Sequence, residues 1–347
     1  MANTKPKVSI LLPNLNNIPF LEERIETILN QTFTDWELII VDSYSNDGAW
    51  ELLQEYARQN NKIKISQAPR KGVYAGINDC LKLSRGEYIY IATSDDTMMP
   101  KCLEKMVKAM DAYPKCEICH TLLQVIDDEG KEIPNWWNRT PPARFYGELV
   151  NKPHIRLAPY DGILYCALRT VYISLTQLLI RRSVFDKVGL FPTTWGSEGD
   201  FEWCMRAALV CNTIHIPETL ATWRIHSQQA TKTSISRTSP QYRQKFRAMI
   251  QSALTILEKN HLEIYNKLQS DDLFFFYHLI WGLKEKPTKK QKFLFFLSFL
   301  TINSKTLLSY LLIYLHIKRD YLTDEFIFLR QKLKKLGIEK NIEIIDL

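Results

Sequence analysis

The fold is decided by residues 7 to 48, which read KVSILLPNLNNIPFLEERIETILNQTFTDWELIIVDSYSNDG. The run KVSILLP is an apolar segment of strand length, and WELIIVD, residues 36 to 42, is a second one. Between them, PFLEERIETILNQ at residues 19 to 31 places apolar side chains three and four residues apart, which is typical of an amphipathic helix. The stretch therefore predicts a strand, a helix and a second strand.

The same alternation continues to about residue 100. We expect a helix from Ala49 to about Gln59, a strand in KIKISQAP, a helix near Tyr74 to Leu83, and a strand in EYIYIATS. Repeated βα units favour an α/β fold with a mostly parallel sheet covered by helices, in which ligands bind at the carboxyl ends of the strands.

Length and composition set the broad class of the protein. With 347 residues, 46% of them apolar, the chain is long enough for one large domain with an appendage or for two domains. The opening MANTKPKVSI lacks the apolar region of a secretion signal, and seven scattered cysteines favour buried thiols over a disulfide framework. We therefore expect a cytoplasmic protein.

The positive charge is concentrated in the C-terminal third. Residues 231 to 347 carry 20 Lys and Arg against 11 Asp and Glu, a charge of +9, whereas residues 1 to 230 carry −2. Such asymmetry predicts that this part meets an anionic surface, of which a peripheral membrane surface fits better than nucleic acid. A solvated helical face is the alternative.

Composition also suggests a division of the chain. Residues 1 to 235 are predicted to form the α/β domain, with a first half to about 115 and a less regular, substrate-side half from about 116. Residues 236 to 347 are predicted to be a helical, basic and apolar extension. Its run from Phe293 to Ile317 is broken at Asn303 to Lys305, so interfacial membrane attachment or a self-packed helical bundle is favoured over a membrane span.

Polar clusters follow the predicted strands. The loop PNLNN after the first strand lacks the glycine-rich turn of a dinucleotide site, which argues against a dehydrogenase. Asp42 ends the second strand, where a carboxylate can accept hydrogen bonds from a base or a ribose. Asp47 and Gly48 follow it closely, and both are also common turn formers.

Asp95 and Asp96 close the fourth strand. Two adjacent carboxylates are unfavourable unless a cation or hydrogen bonds compensate for their charge. Mg²⁺ or Mn²⁺ prefers oxygen ligands and bridges carboxylates to substrate phosphates, so the pair predicts a metal site. The alternative is that the pair caps the helix predicted in the following TMMPKCLEKMVKAM.

Five segments in order resemble glycosyltransferase family 2, whose members have the GT-A fold. They are VSILLPNLNN, ELIIVDSYSNDG, RKGVYAGINDCLKLSRGEYIYIATSDDTMMP, SEGDFEWCMRAALV and TWRIHSQQAT, and the likeness covers roughly residues 5 to 230. The resemblance implies a GT-A-type, Rossmann-like mixed sheet flanked by helices, here with a helical C-terminal extension.

The resemblance also implies roles for individual residues. The residues implied to bind the nucleotide sugar are Pro13, Asn14, Asn16, Asp42, Lys71, Gly72, Asn78, Asp95 and Arg224. Asp95 matches the second carboxylate of the family's metal-binding D-x-D motif and Asp96 the acidic residue after it, with His226 as a further group near the metal. Thr93 stands where the first carboxylate is expected.

Asp200 matches the catalytic carboxylate of the family, with Gly199 in place of the usual Glu and Glu198 one position earlier. One carboxylate that deprotonates the acceptor hydroxyl during in-line attack would invert the anomeric configuration. The resemblance thus implies an inverting, Mn²⁺- or Mg²⁺-dependent glycosyltransferase that uses a UDP- or dTDP-type sugar and a saccharide or lipid-linked acceptor in cell-envelope polysaccharide synthesis. A nucleotidyltransferase and a non-catalytic nucleotide-sugar-binding protein are the alternatives.

Overall fold

The computed structural model describes residues 5–136, 139–227, 229, 239–269, 286–300 and 326–347. Within these ranges, nine strands form one sheet. They are β1 (Val8–Asn14), β2 (Trp36–Asp42), β3 (Ile63–Gln67), β4 (Tyr88–Ile91), β5 (Ile118–Ile126), β6 (His154–Arg156), β7 (Leu178–Arg181), β8 (Thr213–Arg224) and β9 (Ile342–Ile344). Their order across the sheet is β3-β2-β1-β4-β7-β5-β8-β6-β9.

The described α-helices lie on both sides of this sheet. They are α1 (Ile18–Leu29), α2 (Ala49–Gln59), α3 (Val73–Leu83), α4 (Cys102–Ala112), α5 (Pro141–Tyr146), α6 (Tyr160–Leu168), α7 (Ser183–Val188), α8 (Gly199–Val210), α9 (Pro240–Asn260), α10 (Leu262–Gln269), α11 (Lys289–Leu300) and α12 (Ile327–Leu336). The elements predicted for the first hundred residues are confirmed, although β4 ends at Ile91 rather than Ser94.

The strand directions place six carboxyl ends at one edge of the sheet. β1 runs parallel to β2 and β4, β2 to β3, and β5 to β8. β7 is antiparallel to both β4 and β5, so these two strands run the same way. β6 is antiparallel to β8. The predicted α/β fold with a mixed sheet is therefore confirmed, and the mostly parallel arrangement holds for the first four strands.

Alternating side chains divide the core into two layers. On β1 and β2, Leu11 and Ile39 contribute to one layer, whereas Ile10 and Leu38 contribute to the other. Such alternation is expected because successive strand residues point to opposite faces. Helices α3, α6, α8 and α9 cover the first layer, and α1, α2 and α4 cover the second.

The chain between residues 116 and 235 is more regular than its composition indicated. Its described residues hold four strands and four α-helices. The assignment of this half to the substrate side stays a prediction. The described residues of the stretch 135 to 154, which is rich in Pro and Gly, form short elements: α5 and the 3₁₀ helix Gly147–Asn151. Trp137 and Asn138 lie outside the described residues.

The described residues of the C-terminal region are mostly helical, as predicted, but they also contribute to the main core and sheet. Helix α9 packs on α8 and buries seven apolar side chains: Tyr242, Phe246, Met249, Ile250, Ala253, Leu254 and Leu257. Strand β9 pairs antiparallel with β6 at the sheet margin. The boundary predicted near residue 235 lies outside the described residues, as does the apolar run from 301 to 317.

Two further features complete the fold. In the described ranges, every helix is too short or too polar to cross a bilayer. All seven cysteines are free and buried. Cys80, Cys166, Cys204 and Cys211 lie in the first core layer, and Cys102, Cys116 and Cys119 lie in the second.

Candidate active site

The candidate site lies where the six parallel strands end. We call this the carboxyl edge: the ends of β1, β2, β3, β4, β5 and β8 together with the loops that follow them. Open α/β sheets bind ligands at this edge, because the loops there can diverge and leave a crevice. The predicted residues from four separate stretches of the sequence follow strands that end here.

Asn14 and Asp42 form a buried pair at the ends of β1 and β2, where they are partners in register. Asn14 Nδ2 donates to Asp42 Oδ1 at 2.8 Å. The Ser45 backbone N–H and Gln67 Nε2 donate to Asp42 Oδ2 at 2.9 and 3.3 Å. No described residue donates to Asn14 Oδ1. Since buried acceptors are normally paired, this oxygen marks a place for a ligand N–H or O–H group.

Pro13 and Asn16 shape the loop after β1. Pro13 is buried against α3, and its Cβ lies 3.0 Å from the position that a Cβ on Gly76 would take. Asn16 is exposed with a φ of +50°, and its Oδ1 accepts from the Asn46 backbone N–H at 2.9 Å. Asn16 therefore ties the loop after β1 to the loop after β2, and nucleotide contacts by either residue stay a prediction.

Ser45 was not identified from the sequence, yet its hydroxyl joins three residues of the site. Ser45 Oγ lies 2.5 Å from Asp42 Oδ1 and 3.2 Å from Asn14 Nδ2, and it accepts from the Asn16 backbone N–H at 2.9 Å. The signal for it was its position three residues after Asp42, since an aspartate commonly bonds the backbone of a following turn.

Asp47 is structural. Its Oδ2 accepts from the Ile18 backbone N–H at 2.9 Å, and its Oδ1 accepts from the Ala49 backbone N–H at 3.1 Å. These donors belong to the first turns of α1 and α2, which lack helical partners and favour nearby negative charge. The turn-forming interpretation of Asp47 is thus confirmed.

Lys71 and Gly72 lie on the surface, whereas Asn78 lies in the interior. Lys71 and Gly72 are exposed in the loop before α3, where Gly72 has a φ of +93°. Asn78 is buried, and both ends of its amide bond the Phe191 backbone: Nδ2 donates to the carbonyl at 2.8 Å and Oδ1 accepts from the N–H at 3.1 Å. Asn78 therefore holds the segment that precedes α8.

Asp95 and Asp96 follow β4 in a loop, and α4 begins only at Cys102, so the helix-cap alternative is wrong. Asp95 is partly exposed, with 20% of its side-chain surface accessible. Its Oδ2 lies 3.0 Å from His226 Nε2, just beyond the end of β8. The His226 ring also contacts the Phe20 ring, with centroids 4.8 Å apart.

Asp96 points into the protein. Its Oδ1 accepts from the Arg224 backbone N–H at 2.8 Å, and its Oδ2 accepts from the Thr93 hydroxyl. Burial, followed by the charge of Asp95, raises the pKa of Asp96 to about 7. Thr93 thus supports Asp96 where a first D-x-D carboxylate was expected. Both oxygens of Asp96 are engaged within the protein, whereas Asp95 faces outward.

Arg224 is 2% exposed and braces the Asp95 loop. Its Nε donates to the Asp95 carbonyl oxygen at 2.9 Å, and its Nη1 donates to the Asp127 carbonyl oxygen at 3.1 Å. Its Nη2 donates to Glu23 Oε2 at 2.5 Å, a partner that could not be predicted from the sequence because the two residues are 201 positions apart. The predicted role of Arg224 in binding the nucleotide sugar stays a prediction.

The donor atoms at the carboxyl edge decide whether a metal ion fits the site. Within the described ranges, no three His, Cys, Asp or Glu side chains are grouped to hold a metal ion. Asp95 and His226 supply two adjacent ligand atoms at the carboxyl edge. Because Mg²⁺ and similar ions commonly take one or two protein ligands and complete their shell with substrate phosphates and water, this pair fits a cation that arrives with a diphosphate.

Asp200 is the second residue of α8, so the helix N-terminus also favours its charge. Its Oδ1 accepts from Tyr74 Oη at 2.7 Å and from the Phe201 backbone N–H at 3.0 Å. Burial raises the pKa of Asp200 to about 6, against the opposing effect of these hydrogen bonds. A carboxylate with a pKa near 6 is ionised at neutral pH and is a stronger base than an ordinary aspartate.

Tyr74 also shows where Asp200 lies relative to the other site residues. It is the second residue of α3, which follows β3, so it lies at the carboxyl edge of the sheet. Asp200, bonded to Tyr74, is therefore brought to the same edge as Asn14 and Asp95. Glu198 is 7% exposed and pairs with Lys245 Nζ at 2.5 Å, so this neighbouring carboxylate is already neutralised.

A buried polar cluster lies on strands β5, β6 and β8 and on helix α6. We call it the histidine–arginine cluster: His120, His154, His215, Arg156 and Asp161. Arg156 Nε donates to Asp161 Oδ2 at 2.8 Å, and both side chains are at most 2% exposed. The ring nitrogens of His120 and His215 lie 3.1 Å apart. Burial and the Arg156 charge lower the pKa of all three histidines, that of His154 to about 3, so they are neutral.

Comparison with known proteins agrees with the sequence pattern. The model of the family "Glycosyl transferase family 2" matches residues 9–189. The putative teichuronic acid biosynthesis glycosyltransferase TuaG of Bacillus subtilis (strain 168) is 32% identical over 111 residues, 32% of this chain and 44% of TuaG. The chain spans about half the length of the first curated relatives that it matches.

Solved structures show the same fold at low identity. S. aureus TarS 1–349 in complex with UDP-GlcNAc superposes with a TM-score of 0.58 and 14% identity, covering 85% of this chain and 80% of that one. The mannosyltransferase PcManGT from Pyrobaculum calidifontis, in complex with GDP-Man and Mn²⁺, gives a TM-score of 0.50 and 16% identity over 88% of each chain. The likeness confirms the GT-A-type fold.

Proposed function

Because this chain belongs to glycosyl transferase family 2, we propose that it transfers a sugar from a nucleotide-sugar donor to a saccharide or lipid-linked acceptor in cell-envelope polysaccharide synthesis. The observation that carries the proposal is the arrangement of Asn14, Asp95 and Asp200 along one edge of the sheet. Each offers a different chemical function: an unpaired buried acceptor, an outward carboxylate and a base.

The nucleotide would bind over the ends of β1 and β2. Asn14 Oδ1 would accept an N–H of the base or a ribose hydroxyl, and the Asp42 network would hold Asn14 in place. A pyrimidine such as uracil or thymine presents an N–H beside its carbonyl groups and suits this acceptor. Uridine or deoxythymidine diphosphate sugars are therefore the proposed donors, and the UDP-GlcNAc in the TarS complex supports this choice.

The diphosphate would lie at Asp95 and His226, the residues that would hold Mn²⁺ or Mg²⁺. When bound, such a cation neutralises charge on the diphosphate leaving group. Asp200 would take the proton of the acceptor hydroxyl while that oxygen bonds to the anomeric carbon and the carbon–oxygen bond to the diphosphate breaks. Attack opposite the leaving group inverts the anomeric configuration.

The two departures from the family pattern are consistent with an active enzyme. Thr93 and Gly199, which stand where the family has acidic residues, are the features that favour a non-catalytic nucleotide-sugar-binding protein. Thr93 hydrogen-bonds Asp96 in the interior, and Gly199 gives room to the Tyr74 ring. The nucleotidyltransferase alternative lacks support, since the loop after β1 has no glycine-rich turn for a triphosphate.

A donor screen tests the proposed function. We expect one nucleoside diphosphate with Mn²⁺ to raise the melting temperature of the protein, because a ligand that binds only the folded state stabilises it by about 2.7 kcal/mol at 100 times its Kd. The matching nucleotide sugar should be hydrolysed slowly when acceptor is absent. Differential scanning fluorimetry and release of the nucleoside diphosphate are the measurements. Failure of every common nucleoside diphosphate to stabilise the protein would reject the proposal.

We further propose that helix α11 attaches the protein to an anionic membrane surface at the site of its acceptor. Three apolar side chains of this helix are exposed: Phe293 by 60%, Leu294 by 55% and Leu297 by 38%. The opposite side is anchored, since Phe295 is buried beneath the Arg243 guanidinium at 4.9 Å. Exposed lysines at 289, 290 and 292 complement anionic headgroups.

Vesicle binding tests this attachment. We expect replacement of Phe293, Leu294 and Leu297 with serine to abolish co-sedimentation with phosphatidylglycerol vesicles, because insertion of apolar side chains drives interfacial binding. Leu83→Ser, a 52% exposed leucine on α3, is the matched control and should bind as the wild type does. Deleting residues 236 to 347 is unsuitable, since it removes core residues of α9. Unchanged sedimentation of the triple variant would refute the attachment.

A further inference from the structure

One face of α3 holds the segment that carries Asp200. Asn78 makes its two hydrogen bonds to the Phe191 backbone, at 2.8 and 3.1 Å. One helical turn earlier, the Tyr74 ring stacks on the Phe191 ring, with centroids 5.9 Å apart and planes 15° apart. Residues four apart on a helix lie on the same face, so Tyr74 and Asn78 form one continuous support.

The Tyr74 hydroxyl lies between two acceptors in this segment. Its oxygen is 2.7 Å from Asp200 Oδ1 and 2.9 Å from the Ser197 carbonyl oxygen. A hydroxyl has only one proton to donate, and a carboxylate accepts more strongly than a neutral carbonyl. The shorter distance also favours Asp200. The hydroxyl therefore donates to the carboxylate.

Gly199 is required by this arrangement. A Cβ added at Gly199 would lie 2.6 Å from Tyr74 Cδ2 and 2.6 Å from the Pro192 carbonyl oxygen. These distances are shorter than real carbon contacts allow, and neither the packed ring nor the backbone can move away freely. The Tyr74 ring thus occupies the space that any side chain at position 199 would need.

The contacts of Asp200 are one-sided. In the described part of the chain, the hydrogen bonds from Tyr74 and from the Phe201 backbone both go to Oδ1. The other oxygen, Oδ2, is the one left to receive a proton. A base fixed through one oxygen presents the second in a single direction, which is what attack on a bound donor needs.

We propose that Tyr74 is a positioning residue for the transfer reaction, which fixes the Asp200 carboxylate through Oδ1 so that Oδ2 faces the acceptor hydroxyl. The inference rests on the proposed function, because it needs Asp200 to be the base. It assigns to the first turn of α3 a role in orienting the catalytic carboxylate.

The groups that act electrostatically on Asp200 come from each element packed around it. They are Tyr74 on α3, Glu198 in the 3₁₀ turn before α8, Cys204 on α8 and Tyr165 on α6. Lys245 on α9 neutralises Glu198. Tyr165 and Cys204 have pKa values raised well above normal by burial, so they stay neutral in the range where Asp200 titrates. Tyr74 is therefore the neighbour whose removal affects Asp200 directly.

Tyr74→Phe tests the inference, because it removes the hydroxyl and keeps the ring that packs on Gly199. Loss of a hydrogen bond to the ionised form raises the pKa of Asp200, so we expect the acidic limb of the kcat/KM profile to move up by about one pH unit. We expect kcat at pH 7 to fall about tenfold, the effect of one such bond, with the donor KM unchanged. In an Asp200→Asn background, Tyr74→Phe should have no further effect on kcat.

Tyr88→Phe is the matched control. Tyr88 Oη also donates to a carboxylate, Asp111 Oδ1 at 2.6 Å, but Tyr88 begins β4 at the opposite end from the site. This variant should lose a similar bond and keep the wild-type pH profile. An unshifted acidic limb in an active Tyr74→Phe enzyme would overturn the inference.

A second measurement does not depend on activity. The Asp200 carboxyl can be titrated by ¹³C NMR in the wild type and in Tyr74→Phe, with Asp200→Asn to assign its resonance. We expect the titration midpoint to rise by about one pH unit in Tyr74→Phe, and equal midpoints would overturn the inference. If the midpoint rises but no donor supports transfer by the wild type, the proposed function fails and Tyr74 loses its role in the reaction.

Discussion

Asp200→Asn should lower the rate of sugar transfer by a factor of about 10² to 10⁴, the usual contribution of a general base. Asparagine has nearly the same size and can still accept from Tyr74 through its carbonyl oxygen, so the start of α8 should keep its structure. It cannot take a proton at neutral pH. The acceptor oxygen would then have to attack without losing its proton, which raises the barrier to bond formation.

The affinity for the donor should be almost unchanged in Asp200→Asn. The proposed donor contacts are made by Asn14, Asp95 and their neighbours, which approach from other strands of the sheet. Isothermal titration calorimetry with the nucleoside diphosphate, combined with single-turnover transfer assays, separates the two effects. We expect the Kd to change less than about twofold while the transfer rate falls, the pattern of an interaction used in the transition state.

Asp186→Asn is the control for helix position. Asp186, like Asp200, is an acidic residue in the first turn of a helix, but it is exposed on α7. The Asp186→Asn variant shows how much of the loss in transfer rate comes from removing a carboxylate at a helix N-terminus. That favourable interaction is worth about 0.3–1 kcal/mol. If Asp200→Asn weakens donor binding and transfer to the same extent, Asp200 is a structural residue and the base lies elsewhere.

Asp161→Asn should destabilise the protein by about 3–5 kcal/mol, the cost of removing one partner from a buried ion pair. Arg156 is fully buried in the histidine–arginine cluster, and Asp161 is its ion-pair partner. His120 and His154 contact Arg156 but are neutral, so they cannot replace the lost negative charge. Tyr146 Oη, which donates to Asp161 Oδ1 at 2.8 Å, would also bond a weaker acceptor.

Guanidinium chloride unfolding followed by tryptophan fluorescence measures this loss. Asp79→Asn is the matched control: Asp79 pairs with Lys82 at 2.7 Å on α3, but the two side chains are 34% and 63% exposed. Exposed pairs contribute about 0–1 kcal/mol because water screens them, so the control should unfold nearly as the wild type does. A loss below about 1 kcal/mol for Asp161→Asn would mean that Arg156 gains another negative partner.

Much of the structure of the first hundred residues could be predicted from the sequence, because local periodicity determines the helices and strands there. The run VSILLPN in β1 is buried throughout, and α1 buries Leu21, Ile25 and Ile28 of its predicted apolar face. Parallel topology then places Asn14, Asp42 and Asp95 at one edge, as expected from repeated βα units. Strand β7 lies between β4 and β5 in the sheet. Its position could not be predicted from local periodicity, because β7 comes from a distant part of the chain.

The orientation of side chains at the site was less predictable. Asp95 and Asp96 are adjacent and chemically alike, so the sequence cannot show that one faces outward and the other inward. That difference comes from Arg224 and Thr93, which bond Asp96. Tyr74 and Asp200 are separated by 126 residues, and only the packing of α3 against the segment before α8 brings them together. Strand β9, with three residues, is too short to give a periodic pattern.

The seven buried cysteines can be used to detect local opening of the protein. Every thiol is buried, and burial raises the pKa of Cys80 and of Cys102 to about 12. Reagents such as iodoacetamide need an accessible thiolate, so alkylation of the native protein must follow a fluctuation that admits solvent. Because the sulfur atoms lie on both sides of the sheet, peptide-resolved labelling rates would map which layer loosens first.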